Sequence, residues 1–117
     1  MVRNLWLTRL SVASILCVLI VGCAGMAKSS GNPHVDEAVA HAMEAIEHGG
    51  MGHSDVLVTH AEVSLQHAKA AQKEMTNPHL DAGIAELQKA ITHGKAGHAG
   101  VATKHAKEAV GHFHEIH

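Results

Sequence analysis

The chain repeats itself, and that repeat limits its fold more than any other feature. Shifted by 45 residues, the stretch 32–72 falls on 77–117 with 15 of 41 positions identical. The matches include Asn32-Pro33-His34 with Asn77-Pro78-His79, Ala45-Ile46 with Ala90-Ile91, and His48-Gly49 with His93-Gly94. Gly52-His53 matches Gly97-His98, His60-Ala61 matches His105-Ala106, and His67 matches His112. A unit of about 40 residues used twice is one supersecondary element duplicated, and each copy needs the other to bury its apolar face.

Each unit reads as helix–turn–helix. Asn32 and Asn77 suit N-caps, and Pro33 and Pro78 follow at the first helical position, where a missing N–H costs nothing. Val35, Val39, Ala42 and Ile46 recur at helical steps, as do Leu80, Ile84, Leu87 and Ile91. The second helices carry Leu57, Ala61, Ser64, Ala68, Ala71 and Ala102, Ala106, Ala109, Phe113, Ile116 at the same spacing. Gly49 and Gly94 are expected to stop the first helices as left-handed C-caps. Met43, Met75 and Phe113 are expected to fill gaps in the core, and Lys95, Lys104 and Lys107 to form an exposed face. Short turns at 49–52 and 94–97 force each pair antiparallel, and 73–77 joins the pairs. The fold class is therefore all-α: an up-down antiparallel four-helix bundle of two tandem hairpins, 32–74 and 75–117.

The segment ahead of the repeat has a different character. Residues 1–22 hold Arg3, Arg9 and an apolar stretch over 10–21, too short to span a bilayer, which reads as a secretory signal. It ends in Ile20-Val21-Gly22-Cys23, like a bacterial lipobox, which makes Cys23 the expected lipidation site. The competing reading is ordinary cleavage nearby, for example after Ala27. Either way the domain is expected outside the cytoplasm, in the periplasm, with 23–31 as a flexible tether and a lipid anchor in the first case. Beyond Cys23 there is no cysteine, so disulfides, thiolate metal sites and cysteine nucleophiles are excluded from the folded part.

Charge narrows the function further. From Cys23 onward seven lysines oppose 11 acids, a formal charge of 7 − 11 = −4 with neutral histidine; protonating all 13 histidines would bring it to +9. Phe113 is the only aromatic in that portion. Nucleic-acid binding lacks both phosphate steering and a stacking platform, and a large α/β enzyme cannot fit. Zincin, P-loop, nucleophile-elbow and haem-attachment motifs are all absent.

Histidine itself is the chemical signal. It recurs every seven residues as His34, His41, His48, then His53, His60, His67, then His98, His105, His112; His79 and His93 bracket Glu86, where the middle member would stand. Seven residues are two helical turns, so each set forms a stripe that drifts by about 20° per heptad. The first-helix stripe lies about 130° from the apolar centre and the second-helix stripe about 60° from its own, which places both at boundary and surface positions. Neighbours in one stripe are about 10.5 Å apart in rise, too far to share an ion.

Partners must come from elsewhere. Along single helices, His34, Glu37, His41, Glu44 and His48 alternate at three- and four-residue steps, as do His105, Glu108, His112 and Glu115. Across the first turn, residues at equal height have numbers summing to 101, which pairs His48 with His53, His41 with His60 and His34 with His67. In the second unit the sum is 191 and pairs His93 with His98, Glu86 with His105 and His79 with His112. Six rungs with eleven histidines and one glutamate point to transition-metal binding, since imidazole suits Cu(II), Ni(II) and Zn(II) and a nearby carboxylate adds oxygen donors. His112, His114 and His117 add a C-terminal cluster, and Met51 beside His53 offers a thioether for Cu(I).

The run His34-Val35-Asp36-Glu37-Ala38-Val39, the turn at Glu47-His48-Gly49 and the stretch from Gly97-His98 to His105-Ala106 resemble the small metal-binding protein family of nitrifying bacteria. The resemblance covers about 33–113 and implies a periplasmic, histidine-rich four-helix bundle that binds several divalent ions, copper preferred, and buffers, scavenges or stores them. Cys23 and Glu86 depart from it, and the second departure puts one middle site in question. On this reading the protein is a non-enzymatic monomer whose partners are metal ions. Two readings compete: a pH-responsive structural or interaction lipoprotein of the envelope, and a carboxylate-bridged di-metal enzyme. The enzyme would need inward-facing glutamates and Glu-x-x-His motifs, whereas here the order is His-x-x-Glu on the flanks.

Overall fold

The computed structural model describes residues 29–117; the expected signal, Cys23 and most of the expected tether lie outside the described residues. Four helices follow in order: α1 (Pro33–Gly50), α2 (Ser54–Glu74), α3 (Pro78–Lys95) and α4 (Ala99–His114). α1 packs on α2 and α3 on α4 as two hairpins; α2 against α3 and α1 against α4 close the ring, with slight diagonal contact between α2 and α4. No strand occurs among the described residues. None of these helices is long and apolar enough to cross a membrane.

Local chemistry explains the boundaries. The Asn32 side chain accepts from the N–H groups of His34 and Val35, and the Asn77 side chain from that of His79, with proline at the start of each helix. Ser30 donates from its backbone N–H to Asp36 at 2.9 Å, and the Ser29 hydroxyl donates at 2.8 Å, so the approach to α1 is tied down. The Ser30 backbone bond, against opposition from burial, holds the Asp36 carboxyl below its ordinary range.

The hairpin turns correct one expectation. Gly49 and Gly94 are not left-handed caps: the helices run past them, and the positive φ angles fall on Gly52 (82°) and Gly97 (78°). His53 N–H donates to His48 C=O at 3.0 Å and Gly52 N–H to Gly49 C=O at 3.0 Å; His98 to His93 and Gly97 to Gly94 repeat the pattern at 2.9 Å. This is a Schellman closure with the later glycine at the left-handed position. Gly49 and Gly94 are instead close-packing residues. A β-carbon on Gly49 would strike Thr103 and Leu57, and one on Gly94 would strike Val58.

The core has two parts. Near the turns, Leu57, Ile91, Ala45, Ala61 and Ala102 pack together. Toward the other end, Leu80, Leu87, Phe113 and Ile116 meet the smaller Val35, Ala38, Ala42 and Ala68. Phe113 lies over Gly83, where any β-carbon would meet its ring. Phe113 and the partly buried Met75 fill gaps as expected, but Met43 is 55% exposed and does not. The buried polar side chains among the described residues are Ser64 and Thr103. Ser64 donates to the Ala38 carbonyl of the neighbouring helix at 2.6 Å and Thr103 to the Ala99 carbonyl at 2.7 Å, so neither leaves its hydroxyl unsatisfied. Among the described residues the core thus holds no carboxylate or imidazole, and the polar chemistry lies on the seams.

Candidate metal centre

The α1/α2 and α3/α4 seams lie on opposite sides of the ring, and each carries one ladder. At the top the turn itself builds a rung, because the Schellman bond joins the backbones of the two rung residues. The His48 and His53 rings stand 6.2 Å apart between centroids, and the His93 and His98 rings 6.1 Å apart. Two turns further down, His41 faces His60 at 6.1 Å, and at the base His34 faces His67 at 5.9 Å. In the second hairpin His79 faces His112 at 6.0 Å. The middle rung is a hydrogen bond, with His105 Nδ1 2.6 Å from Glu86 Oε2.

The rungs are also linked to one another. His41 stacks on His67 at 5.7 Å and His48 on His60 at 5.3 Å, tilted by 9° and 3°. Pairing at equal height does not foresee these contacts, but backbone geometry does. Each Cα–Cβ bond tilts toward the N-terminus of its own helix, so side chains on antiparallel helices lean in opposite directions and meet between rungs. The result in the first hairpin is one unbroken zigzag: His34, His67, His41, His60, His48, His53. In the second, His93 reaches His105 at 5.4 Å, and the run of rings then stops at Glu86.

Carboxylates complete three donor groups whose ligand atoms all lie within 4.8 Å of one another: Glu37 with His41 and His67, Glu44 with His41 and His60, and Glu86 with His105 and Glu108. Glu44 Oε2 lies 3.0 Å from His41 Nδ1 and 2.8 Å from His60 Nδ1. That oxygen can join the ring nitrogens as a ligand, or accept their N–H groups while Nε2 binds; the second arrangement is the common way to orient a ligating imidazole. His105 Nδ1 lies 3.4 Å from Glu108 Oε2. Lys89 Nζ sits 2.7 Å from Glu86 Oε1. That Lys89 bond, and then the bond from His105, hold the Glu86 carboxyl down to about 2 although burial works against them. Glu86 in return raises the Lys89 ammonium.

Other expected donors are less closely gathered. His34 Nε2 lies 3.7 Å from Glu74 Oε1, and Glu74 also accepts from the Asn32 amide at 3.0 Å. His53, His79 and His98 are exposed, and His53 and His98 occupy N-cap positions without making a cap bond. The C-terminal residues spread apart: His112 joins His79, His114 lines a groove between α1 and α4 with Met43 and Lys107, and Glu115 and His117 are exposed. Met51 is 53% exposed at the end of α1. Neither Glu74 nor Lys89 was legible beforehand. Glu74 stands in no histidine heptad, and Lys89 reaches Glu86 by an ordinary three-residue helical step.

The sequence model of the small metal-binding protein family matches residues 7–116. The chain belongs to that family. No curated protein matches it.

Metal binding, the property this family is described by, fits the side chains present. Two donors on opposite sides of an ion, each at about 2.0–2.1 Å, stand about 4 Å apart, so groups within 4.8 Å close on an ion by small rotations. His48 Nδ1 is buried and has no hydrogen-bond partner, an arrangement that leaves a lone pair or N–H uncompensated unless something binds there. Apart from the exposed His53, His79 and His98, the ladder rings are half-buried at the seams; the His105 and His60 side chains are 20% and 27% exposed.

Proposed function

We propose that this member of the small metal-binding family is a non-enzymatic periplasmic protein that holds several divalent transition-metal ions and buffers, scavenges or stores them. The observation that carries the reading is the unbroken six-imidazole zigzag of the first hairpin, with Glu37 and Glu44 beside it. Imidazole-rich, open, repeated donor sets suit Cu(II) first and Ni(II) or Zn(II) after it, following the usual order of affinity. Cys23 is the proposed lipid anchor, and a monomer is the proposed state, since each copy of the repeat already buries its apolar face against the other. Among the described residues the interior is apolar but for the Ser64 and Thr103 hydroxyls, which supports binding over catalysis by a carboxylate-bridged di-metal centre, built as that is from inward-facing glutamates.

Titrating the chain with Cu(II) at neutral pH should saturate above two equivalents, and saturation at one or fewer overturns the reading. His41→Ala with His60→Ala should lower the capacity while preserving helix content in the metal-free protein, because both side chains lie off the apolar stripes. Uptake should release protons and weaken as the solution is acidified, because a ring nitrogen must give up its proton to bind metal. Cys23→Ser should abolish membrane association in a bacterial host; wild-type protein that is wholly soluble rules out the anchor.

A further inference from the structure

Positions 41 and 86 are the same place in the duplicated unit, and they carry different chemistry. His41 sits in an imidazole run, where each neighbouring donor across the seam is another ring. Glu86 faces His105, and Glu108 lies beside that ring, so the corresponding centre has one nitrogen and two carboxylates. Its floor is set into the seam, with 13% of the Glu86 side chain and 20% of the His105 side chain exposed, while Glu108 at 43% leaves one side open. A cation already sits there: the Lys89 ammonium is 2.7 Å from Glu86 Oε1.

We propose that Glu86, His105 and Glu108 form an oxygen-preferring divalent-cation site, suited to harder ions of the Mn(II) type, distinct from the imidazole run of the first hairpin. The inference rests on the metal-binding reading above and adds a second ligand class to it. Two carboxylates match the charge of a divalent ion, and carboxylate, carbonyl and water donors suit Mn(II), where imidazole runs suit Cu(II) and Ni(II). Copper keeps its general advantage at any nitrogen and oxygen site, so the difference lies in ratio: the preference for Cu(II) over Mn(II) is smallest at this centre. Lys89 is the resident competitor. It holds Oε1 while Oε2 faces His105, and its own side chain is 55% exposed, so an incoming ion can displace it into water.

The opposing signs of two substitutions test this. Free Mn(II) is counted by its room-temperature electron paramagnetic resonance signal as the full chain is added, alone and after loading with Cu(II). The wild-type chain should show one Mn(II) site tighter than any other. Glu86→His should weaken it at least about tenfold, the lower end of what even outer-shell changes cost a metal site, and should add Cu(II) capacity to the second hairpin. Lys89→Gln should tighten Mn(II) about two- to fivefold by removing an exposed ion pair that competes for the same oxygen. Glu108→Gln should weaken Mn(II) and leave Cu(II) binding in the first hairpin unchanged. Mn(II) affinity that Glu86→His leaves unaltered, or that Lys89→Gln lowers, overturns the proposal. A wild-type chain that binds several Cu(II) ions but no Mn(II) overturns this site alone, whereas one that binds neither overturns the broader function.

Discussion

The two hairpins descend from one pattern and have divided its tasks unequally. The first carries six imidazoles in one run; the second carries five and a glutamate. Bulk in the core runs the other way. Val35, Ala38, Val39, Ala42, Ala68 and Ala71 correspond to Leu80, Gly83, Ile84, Leu87, Phe113 and Ile116, so the second hairpin supplies most of the large buried side chains there. Leu57 against Ala102 is the exception, near the turns. The division is possible because ladder and core occupy different faces of each helix. Outer-seam positions can change ligand class without disturbing packing, and inner positions can grow or shrink without disturbing ligands.

Truncating the largest core side chain should therefore hurt far more than changing its smaller counterpart. Phe113→Ala removes a ring that is 1% exposed, from a core cluster to which all four helices contribute, and should cost about 3–5 kcal/mol. Ala68→Gly, at the equivalent place in the first hairpin, should cost about 1 kcal/mol, mainly through backbone entropy. Urea unfolding of the metal-free protein measures both. Equal losses would show that the core is shared evenly and would end the comparison.

A smaller effect should expose how the large side chain is accommodated. Gly83 opposes the Phe113 ring, while the equivalent first-hairpin pair is Ala38 with Ala68. Gly83→Ala improves helix propensity yet forces its methyl into that ring, so it should destabilise by about 1–3 kcal/mol. In the Phe113→Ala background the same change should reverse sign and stabilise by up to about 1 kcal/mol, since it recreates the alanine pair of the first hairpin. A double-mutant cycle that shows no coupling would mean the ring does not need the glycine.

Much of this architecture was legible in the residues. The repeat, the Asn-Pro starts and the two apolar periods led to four helices in two hairpins, and equal-height arithmetic paired the ladder residues that now face one another. What escaped is physical in origin. The role of Gly49 and Gly94 escaped because a glycine near a helix end signals either a left-handed cap or a close approach, and only the neighbours Leu57, Thr103 and Val58 decide which. The diagonal stacks escaped because rise places residues at equal heights, whereas ring positions also depend on the tilt of each Cα–Cβ bond. Met43 has helical spacing close to the core stripe yet faces the groove between α1 and α4. Lys89 was hidden because a charged residue three places along a helix usually signals a solvated face.

The smallest expected effect concerns acid, and of the two middle rungs only that of the second hairpin should show it. Hydrogen bonds from Lys89 and then His105 lower the folded Glu86 carboxyl from 4.5 to about 2. A carboxyl with a depressed folded value binds fewer protons when folded than when unfolded, so its contribution is fully present well above pH 4.5. It is lost progressively as pH falls from about 4.5 toward 2, where the folded form also takes up the proton. Glu86→Gln in the metal-free protein should therefore be less stable than wild type near neutral pH, and the gap should narrow across that acid range. Lys89→Gln should shrink the same gap, because Lys89 is the larger of the two stabilising partners. The effect should be modest because the Lys89 side chain is 55% exposed and water screens the pair. Position 41 has histidine in place of that carboxylate, so His41→Gln should leave this acid limb unchanged. Stability profiles of wild type and Glu86→Gln that run parallel from pH 6 to pH 2 would show that the Glu86 network contributes nothing to folding, and would leave ligand chemistry as the whole difference between the two middle rungs.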